Sequence, residues 1–137
     1  MINQTQTTSF KVEVYEGVHD LLTDTLKIAL YTANADLGPQ TTIYVTTEEV
    51  VGTGYTAGGK VLTGVTLEAS GTTAYVNFAN ATWNPAAFTT RGALIYNASK
   101  GNKAIAILNF GNDKTCTTTF TVTMPANTNT TALIRYI

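Results

Sequence analysis

The chain has 137 residues, enough for one domain with a core that needs neither metal nor disulfide, and its single cysteine, Cys116, excludes an internal disulfide framework. Only 12% of the residues are charged, roughly half the usual share, and the net charge is −1. With no stripe of Lys and Arg and no apolar run of about 18 residues, neither nucleic acid nor a membrane is expected as a partner.

Threonine replaces charge: there are 28 threonines against three serines. Threonine is β-branched and suits a pleated strand, and its hydroxyl keeps an outer face wet without charge. A surface so close to neutral repels other copies weakly, which suits a protein that ends packed against neighbours.

Residues 1–9 (MINQTQTTS) are polar, with no basic or apolar region of the kind a secretory signal carries, and read as a tail outside a single domain at residues 10–137. A tail this hydrophilic is expected to order on a neighbour. Phe10 to Leu22 is ambiguous: Phe10, Val12 and Val14 alternate like a strand, while Phe10, Val14, Val18 and Leu22 fall four apart. The favoured reading is a short helix capped by Ser9, with Gly17 as its weak point.

Asp24 to Thr32 reads as a strand, broken by the Asn34 to Pro39 stretch, and Thr41 to Thr46 as a second extended run. Glu48 to Gly59 is a glycine-rich loop. Strand character returns at Lys60 to Ala69, turns at Ser70-Gly71, and resumes at Thr72 to Phe78. Trp83 to Phe88 is an aromatic loop around Pro85. Ala93 to Asn97, Lys103 to Phe110, Thr117 to Met124 and Ala132 to Ile137 complete the set. About eight strands at spacings of roughly 10 to 15 residues point to an all-β chain, an antiparallel β-sandwich of jelly-roll type with a short N-terminal helix. Ala104 to Leu108, apolar on both faces, is expected to lie centrally, under the helix or another subunit.

The chemistry-bearing residues are few. His19 stands beside Asp20, but adjacent residues on a helix point in different directions, so a structural histidine is expected. Cys116 lies among threonines with no partner motif and reads as a small buried hydrophobe. The nine carboxylates form no ligand loop: Asp20 and Asp24 are one turn apart, and Glu48 and Glu49 are adjacent. Gly52 to Gly59 (GTGYTAGG) matches neither a dinucleotide fingerprint nor a Walker loop, and it leads into a strand rather than a helix N-terminus. Its glycines are expected to allow a close backbone approach, with Tyr55 as an anchor. Trp83, Asn84, Tyr55 and Tyr96 could make a sugar site, although large aromatics more often anchor a core or an interface. No catalytic residue, metal or cofactor is expected, and the chain does not read as an enzyme.

Four stretches carry a family resemblance in order along the chain. They are FKVEVYEGVHDLLTDTLKIALYTANADLG (Phe10 to Gly38), TTIYVTTEEVVGTGYTAGGKVLTGV (Thr41 to Val65), WNPAAFTTRGALIYNASKGNKAIAILNFGNDKT (Trp83 to Thr115) and TVTMPANTNTTALIRYI (Thr121 to Ile137). The most specific pieces are DTLKIALYT, EVVGTGYTAGG and TTRGALIYN. Together they resemble small virion proteins of tailed bacteriophages, of the capsid cement or decoration type. The KVEVYEG segment departs from that pattern, being more strand-like than the Leu-rich helix of the family.

The resemblance implies a β-sandwich that docks on the outer capsid surface and bridges capsomers, stabilising the shell. Its partners would be the phage major capsid protein and further copies of itself, as homodimer or homotrimer, assembled in the host bacterial cytoplasm and carried on the virion. No active-site residues come with the family. Interface residues are expected at Tyr55 and Gly58 of the glycine loop and at Trp83, Phe88 and Arg91. The rival reading is a tail or head-fibre component that binds host glycans through Trp83.

Overall fold

The computed structural model describes residues 1–136, which form ten strands and one α-helix. In chain order these are β1 (Thr5–Gln6), α1 (Thr8–Tyr15), β2 (Leu26–Tyr31), β3 (Lys60–Val61), β4 (Thr66–Ser70) and β5 (Thr73–Asn77). They continue with β6 (Ala81–Trp83), β7 (Phe88–Asn97), β8 (Lys103–Cys116), β9 (Phe120–Val122) and β10 (Ile134–Tyr136). A short 3-10 turn, Ala98–Lys100, joins β7 to β8. The strands form a five-stranded sheet in the order β1-β8-β7-β2-β3, a three-stranded sheet β10-β5-β4 and a pair β6-β9. All these pairings are antiparallel, so the expectation of a mainly antiparallel β protein with one short helix holds.

Three mainly apolar runs of the sequence, LKIALY (broken by Lys27), GALIY and AIAIL, become the middle of the large sheet because both of its faces are covered. Ile28 and Leu30 of β2, Ile95 of β7 and Ile105 of β8 face a larger core. Phe10 of the helix, Val76 and Ile134 of the three-stranded sheet, and Trp83 and Val122 of the pair pack into it. Ala29, Tyr31, Leu94, Tyr96 and Ile107 face a smaller core, closed by Ile2, Ala35 and Leu37. Ala104 to Leu108 is thus central, with α1 packed against its strand.

Several local expectations need correction. The N-terminal residues are not a tail: Ile2 is buried, β1 pairs with β8 through Thr5↔Ile107 and Gln6↔Ala106, and the Thr7 N–H reaches Ile105 O at 2.9 Å. Gly92 makes room for Ile2, since a Cβ there would lie 2.9 Å from its Cδ1. The helix starts earlier and stops sooner than its apolar spacing implies. Thr7, not Ser9, is the N-cap, its hydroxyl accepting the Phe10 N–H at 3.1 Å. Gly17 at φ 72° ends it: the Gly17 N–H bonds Val14 O, and the Val18 N–H bonds Glu13 O at 3.0 Å, a Schellman closure. Of the expected stripe only Phe10 is buried within α1; Leu22 is exposed and lies in the following turn.

Thr41 to Thr46 forms no strand of its own; Ile43 makes a single bridge to Lys103. Lys60 to Ala69 is divided, with β3 in the large sheet and β4 in the three-stranded one. The chain turns between them at Gly64, φ 63°, against Ala79.

Candidate functional site

The glycine-rich loop at residues 48–59 folds back along β2, where the Val50 N–H reaches Leu30 O at 2.9 Å. Two of its glycines lie on backbone: a Cβ at Gly59 would meet Ile28 O at 1.9 Å, and one at Gly54 would meet Pro85 O at 1.8 Å. Side chains are excluded from both positions, as the spacing of the loop implied.

Packed this tightly, the loop buries a carboxylate. Glu49 is 7% exposed, and three donors converge on it. Tyr44 Oη donates to Oε1 at 2.6 Å, while Tyr55 Oη at 2.5 Å and the Gly58 N–H at 2.8 Å donate to Oε2. Tyr55 Oη also accepts the Leu30 N–H at 2.9 Å. Tyr96 Oη donates to Gly58 O at 2.6 Å, and its ring stacks on Tyr44 with centroids 4.7 Å apart. Burial, with the Glu49 carboxylate close by, raises the phenols of Tyr31, Tyr44 and Tyr55 well above the ordinary tyrosine range and pushes Tyr96 up to about 12. Such phenols are fixed hydrogen-bond donors at neutral pH. Both carboxylate oxygens accept hydrogen bonds from within the protein, so the cluster ties loop to sheet.

A second polar chain runs from the helix to the end of β7. His19, whose side chain is 1% exposed, lies 2.9 Å through Nε2 from Glu13 Oε1 and 3.0 Å through Nδ1 from Asn97 Nδ2. Since the Asn97 amide is the donor, Nδ1 accepts and the ring proton sits on Nε2, aimed at Glu13; the partners assign this tautomer. Asn97 also donates to Asp24 Oδ2 at 2.8 Å, and Lys100 Nζ lies 3.1 Å from Asp24 Oδ1. Burial opposes ionisation of Asp24, but the bonds from Asn97, the Asp20 N–H and Lys100 outweigh it and hold the carboxyl below its usual range. Asp20 takes no part in orienting His19: its Oδ1 accepts the Leu22 N–H in a local turn. His19 is a satisfied buried histidine, and no nucleophile adjoins it. Cys116 is buried at β7–β8, with Sγ 3.5 Å from Phe88 O. Among the described residues no three His, Cys, Asp or Glu side chains gather to hold a metal ion, and no helix is long and apolar enough to cross a membrane.

The residues expected at an interface are placed mostly inside. Trp83 and Phe88 are 4% and 7% exposed. They form an aromatic cluster with Tyr55 and Phe120, in which ring centroids lie 5.6–6.3 Å apart. Gly58 is buried and spends its N–H and C=O on Glu49 and Tyr96. As an outward-facing set, Tyr55, Gly58, Trp83 and Phe88 are therefore corrected to core and loop anchors, the apolar rings having been drawn into the gap between sheets. The alternative of a sugar platform at Trp83 loses its exposed ring with them. Arg91 stays near the surface, its Nε donating to Asp113 Oδ1 at 3.0 Å across β7 and β8.

What faces outward is different. Thr82 and Thr121, directly opposite on β6 and β9, join hydroxyls at 3.1 Å, and Thr89 and Thr115 on β7 and β8 do so at 2.9 Å. Along α1, Tyr15 is 79% exposed and meets Tyr136 of β10 edge-on, beside Lys11 and Arg135. Glu49 is a hub that the sequence signals only by a carboxylate opening a glycine loop in a tyrosine-rich chain. Lys11 and Arg135 carry no such signal, and only the fold brings them together. Compared with protein-family models, curated proteins and solved structures, the chain matches none.

Proposed function

We propose that the protein is a building part of a tailed-phage virion, a sandwich-type module that decorates the outer capsid surface and bridges capsomers, binding the major capsid protein and other copies of itself. The observation that carries this reading is the threonine face. On β6–β9 and the adjoining ends of β7 and β8, exposed hydroxyls pair laterally across strands, Thr82 with Thr121 and Thr89 with Thr115. Thr117, Thr118 and Thr119 continue this hydroxyl-rich surface, with Asp113 and Lys114 at its edge. Hydroxyls already bonded to each other lose little on dehydration, and a face with few charges limits the desolvation cost of burying ions. Such a face suits many modest contacts multiplied by a lattice.

Binding the assembled shell and not its free subunits stabilises the shell by linkage. The test compares particles with and without this protein. Co-sedimentation with expanded empty capsids, and release of DNA at a higher temperature from decorated particles, are expected. Thr89→Asp combined with Thr121→Asp should abolish co-sedimentation while the soluble protein keeps its fold. Equal thermal release with and without the protein would overturn the reading.

A further inference from the structure

Two sheet edges face each other along one side of the molecule. β1 is the outer strand of the five-stranded sheet, and β10 is the outer strand of the three-stranded sheet. Among the described residues no ladder joins them. Instead Gln6 Nε2 donates to Arg135 O at 3.0 Å, so a side-chain amide stands where a neighbouring strand would place its N–H. A groove of about 620 Å³ opens beside this bridge, lined by Thr5, Gln6, Lys11, Tyr15, Arg135 and Tyr136. It is continued by a hollow of about 270 Å³ where Ala106, Leu108 and Leu133 form the floor.

The lining has a definite chemistry. It carries two cations and no carboxylate, and among the described residues neither Lys11 nor Arg135 has an acidic side chain within ion-pair distance. Arg135 is held in place by its Nη1, which donates to Thr130 O at 2.6 Å. The floor is apolar, because here the larger core reaches the open side between the sheets. The two tyrosine rings meet at 82°, which supplies apolar walls and hydroxyls but no flat platform for a sugar ring.

We propose that this groove takes an extended polypeptide segment with alternating acidic and apolar side chains, which adds as a strand between β1 and β10. An extended segment presents side chains to opposite faces with a period of two, so apolar residues meet Ala106, Leu108 and Leu133 while carboxylates meet Lys11 and Arg135. Its own N–H takes over Arg135 O from the Gln6 amide, which swings out to solvent. The inference concerns the groove alone and holds for any chain that supplies such a segment, whether or not the capsid reading stands.

The test uses fluorescence anisotropy with labelled peptides of about eight residues, alternating Glu–Val, Ser–Val or Lys–Val. Saturable binding of the Glu–Val peptide, about tenfold or more tighter than the Lys–Val peptide and weakening with salt, is expected. Lys11→Glu with Arg135→Glu should invert the preference, with unchanged circular dichroism confirming the fold. Methylating alternate backbone nitrogens of the Glu–Val peptide should abolish binding to the unmodified protein, a readout that needs no variant. Equal affinities for the three peptides, indifference to backbone methylation, or no saturable binding would overturn the proposal. So would tighter binding of an acidic oligogalacturonate than of the Glu–Val peptide, which would make the groove a saccharide site.

Discussion

The hydroxyl of Tyr55 donates to Glu49 Oε2 at 2.5 Å while accepting the Leu30 N–H at 2.9 Å, so one phenol ties the glycine loop to the second strand of the large sheet. Both groups are shielded from water, and each is the other's replacement for it. Removing either leaves a buried polar atom without a partner.

Tyr55→Phe should therefore destabilise the protein by about 1–3 kcal/mol, because the Leu30 N–H and one carboxylate lone pair are stranded together. Glu49→Gln keeps the shape but turns a charge-assisted acceptor of three bonds into a neutral group with its own two hydrogens, and should cost at least as much as Tyr55→Phe. Urea midpoints at constant slope measure both. A Glu49→Gln variant as stable as the parent would remove the hub from the account.

The same cluster makes the fold sensitive to alkali. Its tyrosines ionise near pH 10 when unfolded, but in the fold they keep their protons to higher pH, Tyr96 to about 12. Raised phenol values mean that the unfolded chain holds fewer protons above about pH 10, so stability falls as pH rises from there through 12. Below pH 10 this contribution is fully present. Urea midpoints across the alkaline range should drop together with the appearance of tyrosinate absorbance. Early tyrosinate absorbance from these four rings, with folding intact, would contradict the geometry.

Asp24 predicts the opposite limb. Its carboxyl is held below the ordinary value, so it stabilises the fold above about pH 4, and this is lost as pH falls through the lowered value. Asp24→Asn should cost about 1–2 kcal/mol at neutral pH and flatten the acid limb of the stability profile, since the pairing with Lys100 and the acceptor for Asn97 both weaken.

Glycine substitutions should separate close approach from conformation. Gly54→Ala and Gly59→Ala place a Cβ under 2 Å from a carbonyl oxygen and should unfold the loop or the protein. Gly17→Ala and Gly111→Ala meet nothing within 4 Å and carry only the left-handed strain at φ 72° and 88°, about 1–2 kcal/mol. Thermal melts of the four variants test the ranking.

Ile2→Ala should cost about 2–4 kcal/mol, as expected for a buried aliphatic side chain and not for a tail residue. A deletion of residues 1–7, which also removes the Thr7 cap, should cost more. Denaturant titration decides; an unaffected midpoint would return these residues to the role of a free arm.

The sequence by itself determined the β class and the middle of the large sheet. GALIY and AIAIL are apolar throughout and LKIALY is broken only by Lys27, and strands with almost no polar face have one stable place, covered on both sides. It also marked the glycine loop as a close backbone approach and His19 as a structural residue. What it left open depends on contacts distant in the chain. Ile2 stands alone in a polar stretch, and nothing local says that Gly92, ninety positions on, leaves a hole of its shape. Trp83 and Phe88 carry the same signal whether they face a partner or the gap between sheets, so their inward placement was decided by packing. Glu49 became the shared acceptor of Tyr44, Tyr55 and the Gly58 N–H, and Lys11 came to line one groove with Arg135, only when the sheets were assembled. A hydrogen bond or a charge pair between remote residues has no period for a sequence to display.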